Sequence, residues 1–243
     1  MEENAQEMKI KTSAFGKVMR VAGVLVVAGL IVAAVVASMA AKPSNAEKVW
    51  DSEMTMGNME AKNYFIIYSD IVCPYCVAFE NAMIEHEEEL EQYIKDNDIL
   101  IEVRMSDFLY EYGQAQAISS RYSAEGTYCA KREGKFWDYY NLAITTVWKD
   151  YFSGGGKGAL MELNKKGKDY WIALGKKVGL SDEFAKCVEE DETLAEIEKN
   201  AEKTSKLANG MPYFKFNSWT SSGFDLAWGW DYVLMYFESG LKG

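Results

Sequence analysis

Hydrophobic and polar positions along the chain mark out two strand-like runs, a long helical block and a short closing unit. Tyr64 to Tyr68 is apolar, aromatic and β-branched, which predicts a buried strand, and Ser69-Asp70 breaks it. From Cys73 to about Asn97 the pattern turns amphipathic. Phe79, Met83, His86 and Leu90 fall at i, i+4, i+7 and i+11 among Glu85, Glu87, Glu88 and Glu89, which predicts a helix with one inward stripe. Ile99 to Met105 then predicts a second central strand. A strand–helix–strand order implies a crossover and a parallel pair. Asp107 to about Asn209 is helical throughout. Phe136, Tyr140, Ala143, Val147 and Tyr151 form a core stripe that stops at the Ser/Gly run of residues 153–157, and helices follow over 160–178, 181–189 and 192–208, with Ser181 as an N-cap and Phe184 inward. Tyr213 to Phe216 predicts a last strand. A turn through Ser221, Ser222 and Gly223 leads to a closing helix over about 226–240, whose Trp228, Trp230, Tyr232 and Phe237 are expected to pack on the sheet.

Upstream of all this, Val21 to Ala41 runs for 21 residues without a charge. That is about the ~20 residues that span a bilayer core as a helix. Lys9, Lys11, Lys17 and Arg20 flank its N-terminal side. The positive-inside rule therefore assigns 1–20 to a cytoplasmic tail, 21–41 to a single-pass signal-anchor helix and the remainder to the outside. The competing reading is a signal peptide cleaved near Ala40, after Ser38-Met39-Ala40. Either way the bulk of the chain is exported. Residues 42–62, opening with Pro43, Ser44 and Asn45, read as a linker in which Trp50 to Met59 adds a small edge strand or a short helix, and 63–243 as one folded domain.

Charge narrows the partners. The chain carries a net −11, and residues 1–42 hold five basic and three acidic side chains, so the exported part carries −13. An acidic domain of this kind is a poor ligand for nucleic acid or for anionic lipid.

The candidate chemistry sits where the first strand meets the first helix, in Cys73-Pro74-Tyr75-Cys76. Proline suits the first helical turn, where its missing N–H has no partner to lose. Cys73 then stands at the helix N-cap, where unpaired N–H groups and the helix dipole favour thiolate over thiol. Cys76 lies one turn further in, close enough to close a disulfide with Cys73. Attack by Cys73 on another disulfide and resolution by Cys76 is thiol–disulfide exchange. A four-cysteine zinc site would need a second close pair, and Cys129 and Cys187 are 58 positions apart. No metal site is expected. His86, the single histidine, lies about 20 Å along the helix from Cys73, too far to act on it, and reads as a core-boundary residue. Asp70, three residues before Cys73, could exchange a proton with Cys76 through water or could simply cap the turn.

Tyr68-Ser69-Asp70, a short spacer and CPYC together resemble the membrane-anchored or secreted DsbA-like proteins, over roughly Trp50 to the C-terminus. CPYC also occurs in glutaredoxins. The helical stretch of about 107–209 is longer than a plain thioredoxin or glutaredoxin accommodates, and DsbA-like proteins insert such a block. The resemblance implies an α/β thioredoxin fold with an inserted α-helical subdomain, here behind one transmembrane helix. It implies that Met211–Pro212, at the entry to the last strand, is the cis-proline facing the CxxC motif, with the Met211 backbone open to an extended substrate; a proline there cannot donate to the ladder. Threonine or valine is commoner before that proline, so Met211 is a departure. It also implies a second, structural disulfide in the helical block, between Cys129 and Cys187. Leftover cysteines in an oxidising compartment are usually bonded, the alternative being two buried inert thiols.

The activity so implied is introduction of disulfides into exported polypeptides that bear cysteine thiols. No cofactor is held by the protein, and a membrane quinone-linked reoxidase of the DsbB or VKOR type would regenerate it. Tyr75 leaves the direction open, since DsbA-type oxidases of Gram-negative bacteria place histidine there. An extracytoplasmic reductase or isomerase is the first alternative. A peptide-binding, chaperone-like module with incidental thiols is the second.

Overall fold

A computed structural model describes residues 51–112, 115–154 and 158–242. The expected spanning segment 21–41, its cytoplasmic tail and the first part of the linker lie outside the described residues. Among those described, no helix is long and apolar enough to cross a membrane.

The elements are β1 (Thr55–Gly57), β2 (Asn63–Ser69), α1 (Pro74–Glu85), α2 (Glu87–Asp96) and β3 (Ile99–Met105). A helical block follows: α3 (Phe108–Glu111), α4 (Ile118–Arg132), α5 (Phe136–Val147), α6 (Ala159–Asn164), α7 (Lys168–Lys177), α8 (Asp182–Glu189) and α9 (Leu194–Leu207). The chain then returns through β4 (Tyr213–Phe216) and β5 (Trp219–Ser222) to α10 (Trp230–Lys242). The sheet order is β1-β3-β2-β4-β5. As the strand–helix–strand pattern predicts, β2 and β3 pair in parallel, Tyr64 opposite Leu100 and Ser69 opposite Met105. The other neighbours are antiparallel.

The central strand β2 is buried from Phe65 to Ser69 because it is covered on both faces. Phe65 lies at the middle of an aromatic cluster, 4.8 Å between ring centres from Phe237 of α10, 5.3 Å from Phe216 and 5.6 Å from Phe214. The α5 stripe of Phe136, Tyr140, Ala143 and Val147 is buried, with Tyr151 half-buried. Helix α4 approaches α5 closely because Gly126 carries no side chain. A Cβ there would lie 2.2 Å from the Tyr139 hydroxyl.

Several boundaries differ from the sequence expectation. Part of the expected linker is built into the domain: Asp51 caps a short 3-10 turn, and Thr55–Gly57 pairs with β3 as an edge strand. This stretch is pinned to the helical block by Lys131, 2.9 Å from Asp51, and by the Trp137 indole, which donates to the Thr55 carbonyl at 3.2 Å. The predicted helix over 73–97 breaks at His86, so that the wholly buried face of α1 gives way to the amphipathic α2. The helix expected over 160–178 is two, separated at 165–167, with Gly167 as the N-cap of the second. Ser181 does cap α8, accepting from the Glu183 N–H at 3.1 Å, and Phe184 is buried.

The expected turn at 221–223 is instead the end of an edge strand, β5. The hairpin turns earlier, at Asn217, which adopts φ 50°. The closing helix starts at Trp230 rather than near 226. Of its aromatic residues, Phe237 packs on the sheet as expected, whereas Trp228 stacks on Tyr232 and Trp230 stacks on His86. His86 is half-buried, paired with Glu89, at the rim of the core.

Candidate active site

The site is made where β2 ends and α1 begins. The Asp70 backbone carbonyl accepts from the Cys73 N–H at 2.9 Å, and its side-chain Oδ1 accepts from the Val72 N–H at 2.8 Å. That tight turn delivers Cys73 in an extended conformation as the N-cap of α1, with Pro74 opening the helix. The Cys73 carbonyl takes the first helical bond, from Val77 at 3.0 Å. Tyr75 projects outward and is 45% exposed, while Cys76 is fully buried one turn inside.

Opposite the motif, Met211–Pro212 is a cis peptide bond at the entry to β4. The Cys73 thiol donates to the Met211 carbonyl at 3.8 Å, and the Pro212 carbonyl accepts from Gly223 at 2.8 Å, which ties this loop to the end of β5. Cys73 and Cys76 share an apolar nest with Ile66, Tyr68, Phe108, Ala208 and Met211. Beside Pro74, an open pocket of about 180 Å3 is lined by Tyr151, Phe152, Ala159, Leu160 and Leu226. The sequence-predicted residues Asp70, Cys73, Pro74, Tyr75, Cys76, Met211 and Pro212 therefore meet where β2 ends, with the Cys73 sulfur on the Met211 carbonyl and Tyr75 facing solvent.

Cys129 and Cys187 are not part of it. They are bonded to each other, joining α4 to α8. This removes them as partners for the CPYC pair in any four-cysteine site. Arg132 lies against this bond, its guanidinium 3.5 Å from the Cys187 sulfur and 2.7 Å from Glu192.

Two buried carboxyl groups, Asp70 and Glu80, lie near Cys76. Asp70 has no exposed surface, and burial pushes its carboxyl up to about 6. Hydrogen bonds from Leu109, Ser120 and Val72 pull it back, and Asp107 pushes it further up. Glu80, on α1 one turn beyond Cys76, is 2% exposed, and burial pushes it up to about 7 against the pull of the Ser69 and Tyr140 hydroxyls. None of the Glu80, Ser69 and Tyr140 side-chain oxygens closes a hydrogen bond of ordinary geometry. Burial also pushes the Cys76 thiol well above its ordinary value. The neighbouring Cys73 thiol, Glu80 and Asp70 add to that push.

Sequence reasoning missed Glu80. The signal was its spacing: four residues after Cys76 and seven after Cys73, it shares their helix face, so a carboxyl was bound to turn inward with them. A carboxyl that titrates near neutral pH beside a buried thiol can hold or release the proton that thiol exchanges.

A family model described as thioredoxin matches residues 50–215. The chain belongs to the thioredoxin family. Its fold is shared with solved DsbA-type structures: BdbD of Bacillus subtilis is 16% identical over 78% of this chain and 93% of that one, with a TM-score of 0.57. MdbA of Corynebacterium diphtheriae, a thiol–disulfide oxidoreductase, is 17% identical over 82% and 100%, TM-score 0.54. Wolbachia pipientis α-DsbA1 is 12% identical over 78% and 90%, TM-score 0.55. No curated protein sequence matches the chain.

Proposed function

We propose that this protein is an exported thiol–disulfide oxidoreductase that introduces disulfides into other exported polypeptides. The observation that carries the reading is the N-cap placement of Cys73, facing the carbonyl of the cis Met211–Pro212 bond with Cys76 sealed behind it. In the oxidised protein a substrate thiolate attacks Cys73, forms a mixed disulfide and displaces the Cys76 sulfur. The thiolate so released takes up a proton, for which Glu80 and Asp70 are the nearby acids. The substrate's second thiolate then attacks its own sulfur in the mixed disulfide and releases the Cys73 thiolate. The substrate loses two electrons to form its disulfide, and the Cys73–Cys76 bond is reduced by the same two.

The Met211 carbonyl is positioned to pair with an extended substrate backbone, and the apolar pocket beside Pro74 suits a large side chain of the same segment. Export rests on the uncharged run 21–41, with the catalytic domain held outside by an anchor or released by cleavage near Ala40. Reoxidation would fall to a membrane quinone-linked partner of the DsbB or VKOR type. Tyr75 and the buried acids favour one second reading, a reductase or isomerase on the same site, because neither feature stabilises the Cys73 thiolate as a histidine would.

Incubating the oxidised full chain with a reduced two-cysteine polypeptide tests the proposal. The substrate should gain its disulfide and Cys73→Ser should be inert, while Cys76→Ala, given the oxidised substrate instead, should attack its disulfide through Cys73 and accumulate as the mixed disulfide. A protein that reduces the oxidised substrate but does not oxidise the reduced one would establish the opposite direction.

A further inference from the structure

We infer that Glu125, Lys168 and Asp191 form a proton-dependent clasp on the turn between α8 and α9, which shields the Cys129–Cys187 bond from thiols and loosens as pH rises. The clasp requires no activity of Cys73 and Cys76.

The turn at 190–193 lies against the second disulfide. The Glu192 N–H donates to the Cys187 carbonyl at 3.1 Å, and the Thr193 hydroxyl sits 4.0 Å from the Cys129 sulfur. Arg132 touches the Cys187 sulfur at 3.5 Å and holds Glu192 by its carboxylate at 2.7 Å and its carbonyl at 2.9 Å. Cys187 is 6% exposed and Cys129 1%, so a reductant reaches either sulfur only when this turn moves.

Three charged side chains hold the turn from behind. Asp191 adopts φ 55°, uncommon for a residue other than glycine. Lys168, the first residue of α7, pairs with the Asp191 carboxylate and donates to the Glu189 carbonyl at 3.0 Å. Glu125 of α4 lies 3.7 Å from the Lys168 ammonium, with no exposed surface and no hydrogen bond of ordinary geometry at either oxygen. Arg121, one turn earlier on α4, also faces the group, and the Tyr122 ring lies 5.4 Å from the Lys168 nitrogen.

A buried carboxyl without donors is far less costly protonated than ionised. Burial pushes Glu125 up to about 8 and Asp191 adds to the push, while Lys168 and Arg121 pull it back. Against its own burial, Asp191 is held below the usual carboxylate range by Lys168. At neutral pH the group therefore carries a proton on Glu125, a negative charge on Asp191 and a positive one on Lys168, and is balanced. Loss of the proton buries a second negative charge, which opening of the turn to water relieves. In the open turn Glu125 returns toward its ordinary 4.5. The opening equilibrium thus climbs from that pH, by at most about tenfold per unit, and levels off above about 8.

The test is reduction of Cys129–Cys187 in the full chain by dithiothreitol from pH 6 to pH 9, read by alkylation and the mass of the peptides that carry the two cysteines. Two electrons pass from dithiothreitol, which closes its own disulfide, and the cysteine sulfurs emerge as thiols. The wild-type rate divided by that of Glu125→Gln, which cannot ionise, should rise at least about tenfold between pH 6 and pH 8 and stay level to pH 9. Taking the ratio removes the reductant's own pH dependence. In hydrogen exchange on the same samples, residues 190–193 should open at least about tenfold more often than β2. A ratio unchanged with pH, or equal opening of the turn and β2, would overturn the clasp. Lys168→Met removes a charge that eases ionisation of Glu125. Its rates per dithiothreitol thiolate should level off at a higher pH than the wild type's, and this decides the matter if Glu125→Gln does not fold.

Discussion

The molecule holds two pairs of cysteines, and they differ in almost everything but the element. Cys73 and Cys76 are three positions apart in sequence, at the joint between a central strand and a helix, with the Met211 carbonyl in front and carboxyl groups behind. Cys129 and Cys187 are 58 apart, bonded across two helices of the helical block, with Arg132 against the bond. Closing a loop across three positions constrains the unfolded chain little, and the first pair is free to be spent on chemistry. Closing one of 58 removes much chain entropy, and the second is suited to stability. Function here follows from loop length and surroundings rather than from the sulfur.

Breaking the pairs separately tests the comparison most severely. Cys73→Ser should take exchange to background while unfolding near the wild-type temperature, as turnover and melting curves on the same preparation will reveal. The double variant Cys129→Ser/Cys187→Ser should do the reverse, losing about 4 kcal/mol of stability on the chain-entropy model while exchanging thiols at close to the wild-type rate. Denaturant titration beside the substrate assay checks both halves.

Glu80→Gln sharpens the picture of the first pair. Glu80 has a folded value of about 7 against an ordinary value of 4.5, so the native state binds its proton more tightly than the unfolded chain. That contribution to stability is complete below about pH 4.5 and is lost as pH rises through 7. Removing the charge should therefore stabilise the protein at pH 8, by at most about 3 kcal/mol, and the gain should vanish near pH 4.5. Melting temperatures at the two pH values decide it. Tyr75→His should have the smallest effect, moving the exchange equilibrium toward the reduced pair by about tenfold, or roughly 30 mV, in a glutathione titration.

What could be read from the sequence divides along physical lines. The strand Tyr64–Tyr68, the crossover to Ile99–Met105, the N-cap cysteine and the Ser181 cap were legible because each is written in a run or spacing of neighbouring residues. The cis Met211–Pro212 bond and the Cys129–Cys187 pairing came from resemblance, since no local pattern specifies either. Strand β5 was lost because an edge strand of four residues without a buried side chain carries almost no periodic signal, and for the same reason 50–59 could be read only as an edge strand or a short helix. The break at His86 was hidden by a stripe that continues across it. The buried acids Glu80 and Asp107 were passed over for a different reason: a charged residue is presumed to face water until packing says otherwise, and that presumption outweighed the spacing that puts Glu80 on the face of Cys76.

The central claim is that Cys73 and Cys76 form a disulfide donor, and the reduction potential of that pair tests it most directly. It is measured on the full chain against glutathione, with the Cys129→Ser/Cys187→Ser variant as control. The account predicts a value on the oxidising side, between about −120 and −200 mV, so that electrons flow out of substrate thiols. A value near thioredoxin's, about −270 mV, would contradict it and make the protein a reductase.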